Sequence, residues 1–496
     1  MALGGMPQRL LVALAGALCL ALPVQASAGG FFIGDIGARG LARGGAFVAA
    51  PDSVLALHYN PGALSLLGEG LHVEVDISTV SLDYQFTRTC PCIDPSKPGA
   101  AAADALLAQS PGHLGVATNS AGVQLIPFIT AAYQLPWHHL TIAAGVYAMT
   151  SPGKLKFGKR SESSAEALVN FQPQRYSLID LDLFEAYYNL GVSIEPIEGL
   201  RLGFVGQLYE FRVTQAVNLW GNTTLSQNAE DITLDIPVVL SFAAPLRPNF
   251  MFGISYTPTF AKEISVGFSM MGKRNARSEG NAKLVVPKFL EDLGNSGITG
   301  SGVNVEVNLP AMIRGGVQYA VPQVFAAEVA LEVETWSDYD RVVVRGKDIA
   351  VSILGKNQPL GKVILPERFQ NTFSIRAGGE LNIWEPVLSL RAGYSFETSA
   401  MSKDFIDASA VDFEKHGLHF GAATTWAGVT LQAGMAYFIM PSFTTTTSEK
   451  SMIGPLTGDL GSTELLTRVG NGTYSGSYFL FSGSISVALD PLMKAI

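Results

Sequence analysis

An all-β fold, a 14-stranded antiparallel transmembrane β-barrel plugged by a small N-terminal hatch, is what three features of this 496-residue chain predict. Apolar and polar residues alternate over stretches of about ten positions, the pattern of strands with lipid on one side and a polar interior on the other. A cleavable export signal precedes them. Between the signal and the first strand lies a glycine-rich segment that does not alternate.

The signal comes first in the chain. Arg9 is followed by an apolar run from Leu10 to Leu22, then Pro23 and the small-x-small sequence Ala26-Ser27-Ala28, so cleavage after Ala28 is expected. The expected domains are therefore a signal peptide over 1–28, a hatch over 29–68 and a barrel over 69–496. Beyond the signal no stretch reaches about 18 consecutive apolar residues, which argues against membrane-spanning helices. The chain is nonetheless 48% hydrophobic and only 15% charged. Alternating strands reconcile the two, because half of each strand must be apolar while no long run appears.

The hatch segment carries Gly34, Gly37, Gly40, Gly44 and Gly45, then Asn60-Pro61-Gly62-Ala63-Leu64. Closely spaced glycines allow tight turns and close backbone approach, while the strand and G-x-G spacing of a dinucleotide fold are missing. A compact plug is the reading that remains.

The strands follow at about 71–86, 122–135, 140–149, 183–194, 200–219, 232–243, 250–268, 303–320, 324–344, 369–383, 387–397, 416–425, 429–443 and 473–489. In the first, Val73, Val75 and Ile77 give way to Val80, Leu82, Tyr84 and Phe86, a change of parity that a β-bulge would produce. In the tenth, Phe373, Ile375 and Ala377 alternate with Ser374 and Arg376. Short turns are expected at 136–139, 196–199, 244–249, 321–323, 384–386 and 426–428, and long connections at 88–121, 150–182, 220–231, 269–302, 345–368, 398–415 and 444–472. Short and long connections alternate, as in an even barrel with both termini in the periplasm. Aromatic residues near strand ends, Trp137, Trp384 and Trp426 among them, suit the headgroup level. Within the 269–302 connection, apolar residues recur three to four apart after Pro287, the spacing of a short helix that either packs on its neighbours or offers an apolar landing surface.

Catalytic signatures are missing: there is no G-x-S-x-G, no H-E-x-x-H and no C-x-x-C, and 355–362 departs from a phosphate loop in spacing and in Val363. An enzyme is not expected. The adjacent His138 and His139 read as a surface pair. Cys90 and Cys92 are too few for a zinc site and read as a tight bridge or two idle thiols in an external loop. Neither a metal nor a cofactor is expected. Parity instead sends Arg314, Gln318, Glu328, Glu332, Glu334, Arg376, Glu380, Arg391 and Gln432 inward. Charges facing a closed interior need a partner or water. They either seat the plug or, for the forked guanidinium groups of Arg314, Arg376 and Arg391, catch a substrate carboxylate.

Several of these stretches resemble a known family. Gly37-Ala38-Arg39-Gly40, Gly44-Gly45-Ala46-Phe47 and Tyr59-Asn60-Pro61-Gly62-Ala63-Leu64 are similar to the hatch of the outer-membrane long-chain fatty acid transporters of the FadL/TodX type, hydrophobic-compound transport porins. Leu309-Pro310-Ala311, Glu334-Thr335-Trp336, Ile375-Arg376-Ala377-Gly378-Gly379-Glu380 and Leu390-Arg391-Ala392-Gly393-Tyr394 resemble its later strands. The resemblance implies location in the outer membrane of a Gram-negative bacterium and passive uptake of hydrophobic compounds, long-chain fatty acids first. An aromatic hydrocarbon channel, a general porin for polar solutes and an adhesive barrel are the alternatives. It makes Asn60 and Pro61 the hatch motif and places Phe31 and Phe32 where the N-terminus reaches the pocket. The partners implied are fatty acids or hydrocarbons, membrane lipids, lipopolysaccharide and the outer-membrane assembly machinery, with a monomeric chain and no nucleic acid. The chain departs from the family in ending Asp490-Pro491-Leu492-Met493-Lys494-Ala495-Ile496, without a terminal aromatic residue, and in a short third external loop.

Overall fold

The computed structural model describes residues 34–489 apart from 110–111, 150–152, 171, 221–229, 354, 410–411 and 453–466. The expected signal peptide, Phe31, Phe32, the last seven residues and most of the third external loop lie outside the described residues.

Fourteen antiparallel strands close on themselves among the described residues. They are β1 (Gly70–Arg88), β2 (Gly115–Thr118 and Gln124–Gln134), β3 (Thr141–Ala148 and Lys154–Lys156), β4 (Asp180–Ile197), β5 (Leu200–Trp220), β6 (Asp235–Tyr256) and β7 (Ile264–Met271 and Arg274–Leu284). After these come β8 (Gly302–Leu309 and Met312–Val321), β9 (Phe325–Glu334 and Arg341–Gly346), β10 (Lys362–Pro366 and Thr372–Trp384), β11 (Leu388–Glu397), β12 (Lys415–Trp426), β13 (Val429–Thr445) and β14 (Gly472–Ala488). Each strand pairs with the next, and β1 pairs with β14 from His72↔Ala488 to Arg88↔Gly472. Closure leaves no strand edge to be satisfied by lipid, which cannot hydrogen-bond. The turn at 427–428 shows how the tight connections form: Ala427 and Gly428 both adopt positive φ, 48° and 78°, the primed geometry that matches strand twist.

The parity change in β1 is not a bulge. Its register against β14 runs without interruption, and its even-numbered side chains point inward along its length. What changes is the chemistry of the two faces. Inward, Glu74, Asp76 and Ser78 give way to Val80, Leu82, Tyr84 and Phe86; outward, Val75 and Ile77 give way to Ser81, Asp83 and Gln85. The lower strand lies between lipid and the polar hatch, whereas its upper part has left the bilayer and faces water outside and an apolar lumen inside. Strand β5 makes the same exchange, with Phe204 and Leu208 outward below Glu210 and Arg212, and Gln207 inward below Phe211 and Val213.

The short turn expected at 244–249 lies in the middle of β6. Pro245 and Pro248 mark a register shift opposite Tyr209 and Phe211 of β5, where the ladder is already interrupted and a missing N–H costs little. The connection to β7 is 257–263, so the expected strand 250–268 is divided between two strands. The count of fourteen survives because β7 continues to Leu284 through residues expected to be loop. Beyond Pro287 the expected helix forms as Lys288–Leu293 and ends at Gly294, with φ 67°.

The exchange of faces predicts opposite responses to charge along one strand. Val75→Arg, on the lipid side of β1, is expected to destabilise the folded barrel by about 2–4 kcal/mol, whereas Gln85→Arg should shift it by less than about 0.5 kcal/mol. Urea unfolding in lipid vesicles measures both.

Candidate functional site

The hatch is built from α1 (Ala38–Ala42), α2 (Ala56–Tyr59) and a 3-10 turn (Pro61–Leu66), pieces too short to satisfy their own backbone groups. The barrel does it for them. Asp76 of β1 accepts from Ala38 N at 2.7 Å, and Glu328 of β9 accepts from Val48 N and Ala49 N at 2.5 and 2.9 Å. Gln134 donates to Ser65 O at 2.7 Å, Ser193 to Gly62 O at 2.8 Å, Ser255 to Ala49 O at 2.8 Å and Ser269 to Tyr59 O at 2.7 Å. These inward polar side chains are the reason the lower lumen must be polar.

Asn60 and Pro61 sit at the centre of this contact. Fully buried, the Asn60 amide donates to Val48 O and Ile254 O, both at 2.8 Å, while its oxygen accepts from Gly62 N at 3.1 Å and caps the 3-10 turn. The barrel wall answers with Gly203 and Gly253, where a Cβ would collide with Pro61 and Asn60.

The three arginines expected inside are all there, and all are engaged at the level of the hatch. Arg314 pairs with Glu332 at 2.5 Å and donates to His58 O at 2.9 Å. Arg376 pairs with Asp35 of the hatch and lies 3.5 Å from Glu332 and from Glu397. Arg391 pairs with Glu380 at 2.6 Å and reaches Gln432 at 2.7 Å, and Arg39 of the hatch shares Glu380 at 2.9 Å. Arg43 lies 3.6 Å from Glu328.

Above the hatch the lumen changes character. Tyr147, Tyr187, Glu185 and Arg274 form a buried polar layer, with Gln207 donating to the Tyr147 hydroxyl at 3.0 Å. Over it opens a cavity of about 370 Å³ lined by Leu155, Phe211, Val213, Leu240, Phe242 and Val344 among other apolar residues. None of Asn60, Pro61, Arg314, Arg376 and Arg391 lines it. The cavity residues are recorded in the sequence as the upper, apolar-inward parts of β4 to β7, among them Leu181, Phe211, Val213, Leu240 and Leu284, where the inward face changes from polar to apolar as it also does in β1. At the margin of the cavity sit Glu367, Arg368, Asp407, Glu449 and Lys450, with Lys450 2.6 Å from Glu367 and Arg368 3.3 Å from Glu449.

The external loops are tied across the top by a second buried cluster. Glu230 pairs with Arg88 at 2.5 Å, with His113 at 3.1 Å and with Arg175 at 3.5 Å, and Arg175 pairs with Asp235 at 2.7 Å. Burial alone would push the Glu230 carboxyl up, but Arg88, His113 and Arg175 outweigh it and hold the group below the usual carboxylate range. Cys90 and Cys92 form a disulfide in the first loop, and Asp104 accepts from Cys92 N at 2.9 Å and Ile93 N at 3.0 Å.

A closed barrel with a polar hatch seat below and an apolar cavity above defines a plugged outer-membrane transport barrel. Residues 112–467 match the family described as outer membrane protein transport protein (OMPP1/FadL/TodX), and the chain belongs to it. Among solved structures, a Pseudomonas aeruginosa FadL homologue superposes with a TM-score of 0.68 at 12% identity, covering 93% of this chain and 100% of its own. The P. putida toluene transporter TodX gives 0.59 at 14% identity over 91% and 97%, and the CymD monoaromatic hydrocarbon channel 0.56 at 12% over 91% and 97%. No curated protein sequence matches the chain.

Two variants test the site. Asn60→Ala strands the Val48 and Ile254 carbonyls and Gly62 N, at about 1–3 kcal/mol for each buried group left unpaired. It should raise the frequency of ion-conducting openings in planar bilayers while heat-modifiable migration reports an intact barrel. Glu230→Gln removes the charge shared by Arg88, His113 and Arg175 and is expected to cost the loop cap about 3–5 kcal/mol. Faster protease cleavage of the external loops in whole cells, with the barrel core still resistant, is the expected readout.

Proposed function

We propose that this protein mediates passive, energy-independent uptake of hydrophobic small molecules across the outer membrane. The observation that carries the reading is the apolar cavity enclosed by strand segments whose outer faces at the same height are polar. A water-filled porin for polar solutes has no use for such a lining, and the hatch fills the lumen beneath it.

External loops would pass the cargo into the cavity, and displacement of the hatch would let it leave. A route through the wall is supported by the register of β3 against β4, which passes from Ala148↔Ala186 to Lys154↔Asp182, six residues against four, next to the cavity residue Leu155. On its other side the β2–β3 ladder ends at Phe128↔Tyr147.

Long acyl chains and hydrocarbons both suit the lining, and burying each methylene is worth roughly 0.8 kcal/mol. The cavity margin favours neutral cargo. Three acids, Glu367, Asp407 and Glu449, accompany two bases, Arg368 and Lys450, and both bases are already paired. A fatty-acid carboxylate would have to displace Glu367 from Lys450 or Glu449 from Arg368. Long-chain fatty acids remain the second reading, supported by those same two cations beside the apolar lining.

Equilibrium binding of toluene, hexadecane and palmitate to purified protein separates the readings. Leu240→Glu, which puts a carboxylate into the cavity, should weaken all three by at least about tenfold; unchanged binding would remove the cavity from the mechanism. Lys450→Gln should leave the neutral ligands unaffected and alter palmitate by less than about threefold, whereas a loss of palmitate binding of about tenfold would establish a carboxylate site.

A further inference from the structure

The outer wall of β6 to β10 carries a feature that uptake does not use. Its lower part is ordinary lipid-facing surface, with Phe252, Phe268, Val317, Val329 and Ile375 exposed. Directly above, the outward face of β7 to β10 becomes mostly polar: Asn275, Arg277 and Glu279, then Asn304 and Glu306, then Arg341 and Arg345 on either side of Val343, then Lys362 beside Ile364. The change from apolar to polar places this strip at the level of the outer-leaflet headgroups.

Its charges are not balanced. Arg277 pairs with Glu306 at 3.0 Å and Lys347 with Glu279 at 2.8 Å. Arg247, Arg345 and Lys362 have no ion-pair partner among the described residues. Arg345 and Lys362 stand directly opposite each other in the β9–β10 register, both exposed. Like charges in that arrangement repel unless an anion lies between them. Arg247 is held on the other side of the same groove, donating to Arg277 O at 2.8 Å, while its buried Nε has no hydrogen-bond partner. The groove itself, about 360 Å³, runs across β6 to β9 between Arg247 and Arg345. Three strand spacings, about 14 Å, separate its two cationic ends.

We propose that this groove is a docking site for lipopolysaccharide. Phosphates on the lipid's disaccharide engage Arg247 at one end and the Arg345–Lys362 pair at the other, and the acyl chains lie down the apolar wall below. Charge complementarity and height select this occupant, since the strip faces outward at the extracellular rim and the apolar surface for the chains is continuous with it. The inference rests on the placement of the barrel in the outer membrane and is independent of the identity of the cargo.

The test is native mass spectrometry of the purified full-length protein in detergent with deep-rough lipopolysaccharide, with its dephosphorylated form, and with phosphatidylglycerol. The wild type should prefer the phosphorylated glycolipid to the dephosphorylated one by at least about tenfold, and Arg247→Gln/Arg345→Gln/Lys362→Gln should lose that preference while binding hydrocarbon normally. Arg247→Lys/Arg345→Lys/Lys362→Arg, which keeps the charges, should retain it. Equal binding of both glycolipid forms by the wild type, phosphatidylglycerol binding as tight as lipopolysaccharide, or an undiminished preference in the glutamine variant would each overturn the proposal. The comparison of lipids on the wild type decides the matter even if the glutamine variant fails to fold.

Discussion

A β-strand cannot turn its side chains over without a bulge, and this constraint organises the whole molecule. Strands such as β1 and β5 are long enough to cross the bilayer and continue beyond it, so a single alternating pattern meets two different environments. Below, lipid lies outside and the hatch inside; above, water lies outside and apolar side chains fill the interior, around the cavity in the case of β5. The register stays fixed, so the chemistry of the faces has to exchange. Along β5 that exchange sets Gln207 below the cavity residues Phe211 and Val213, and along β1 it sets the polar seat at Glu74, Asp76 and Ser78 below a buried apolar stretch at Val80, Leu82 and Tyr84. The site for apolar molecules and the anchorage of the plug are two consequences of one pattern.

The buried charges are arranged unequally between hatch and barrel. Glu380 is shared by Arg39 of the hatch and Arg391 of the barrel, so departure of Arg39 leaves it paired. Arg376 likewise keeps Glu332 and Glu397 when Asp35 leaves. Glu328 differs: the groups bound to it, Arg43, Val48 N and Ala49 N, all belong to the hatch. Breaking a buried pair is costly chiefly because it orphans the remaining charge. Movement of the N-terminal leg around Asp35 and Arg39 therefore leaves the barrel wall satisfied, whereas movement of 43–49 does not. The hatch is anchored at Glu328 and more cheaply released at its leading end.

How much of this could be read from the sequence follows from the same constraint. Alternation over ten positions identified the strands, and the inward parity of Arg314, Arg376 and Arg391 was correct because each lies on the hatch side of an uninterrupted ladder. Asn60-Pro61-Gly62 was legible as a motif, although its contacts with Val48 and Ile254 depend on the tertiary fold. The cavity was missed because its lining comes from the upper halves of strands far apart in sequence, and their change of chemistry looks the same on paper as a change of register. Pro245 and Pro248 mislead for a related reason, since proline punctuates turns in most chains but here lies in and beside a register shift of β6 against β5. Ion-pair partners across strands, such as Arg314 with Glu332, follow from register and could be named only once the pairing was known.

The vertical order of the layers also bears on the direction in which cargo travels. Beneath the cavity lies the Tyr147, Tyr187, Glu185 and Arg274 layer, and beneath that the hatch with its ion pairs. An apolar molecule descending the axis would gain nothing from these groups and would strip them of partners, at about 1–3 kcal/mol for each one left unsatisfied. Sideways, the wall between β2 and β3 is held differently. The ladder ends at Phe128↔Tyr147, and beyond it the strands are joined through Asn119 and Ser120 to Lys156. The axial path therefore rises through polar layers, and the hatch and the layer above it close the floor of the cavity to apolar molecules.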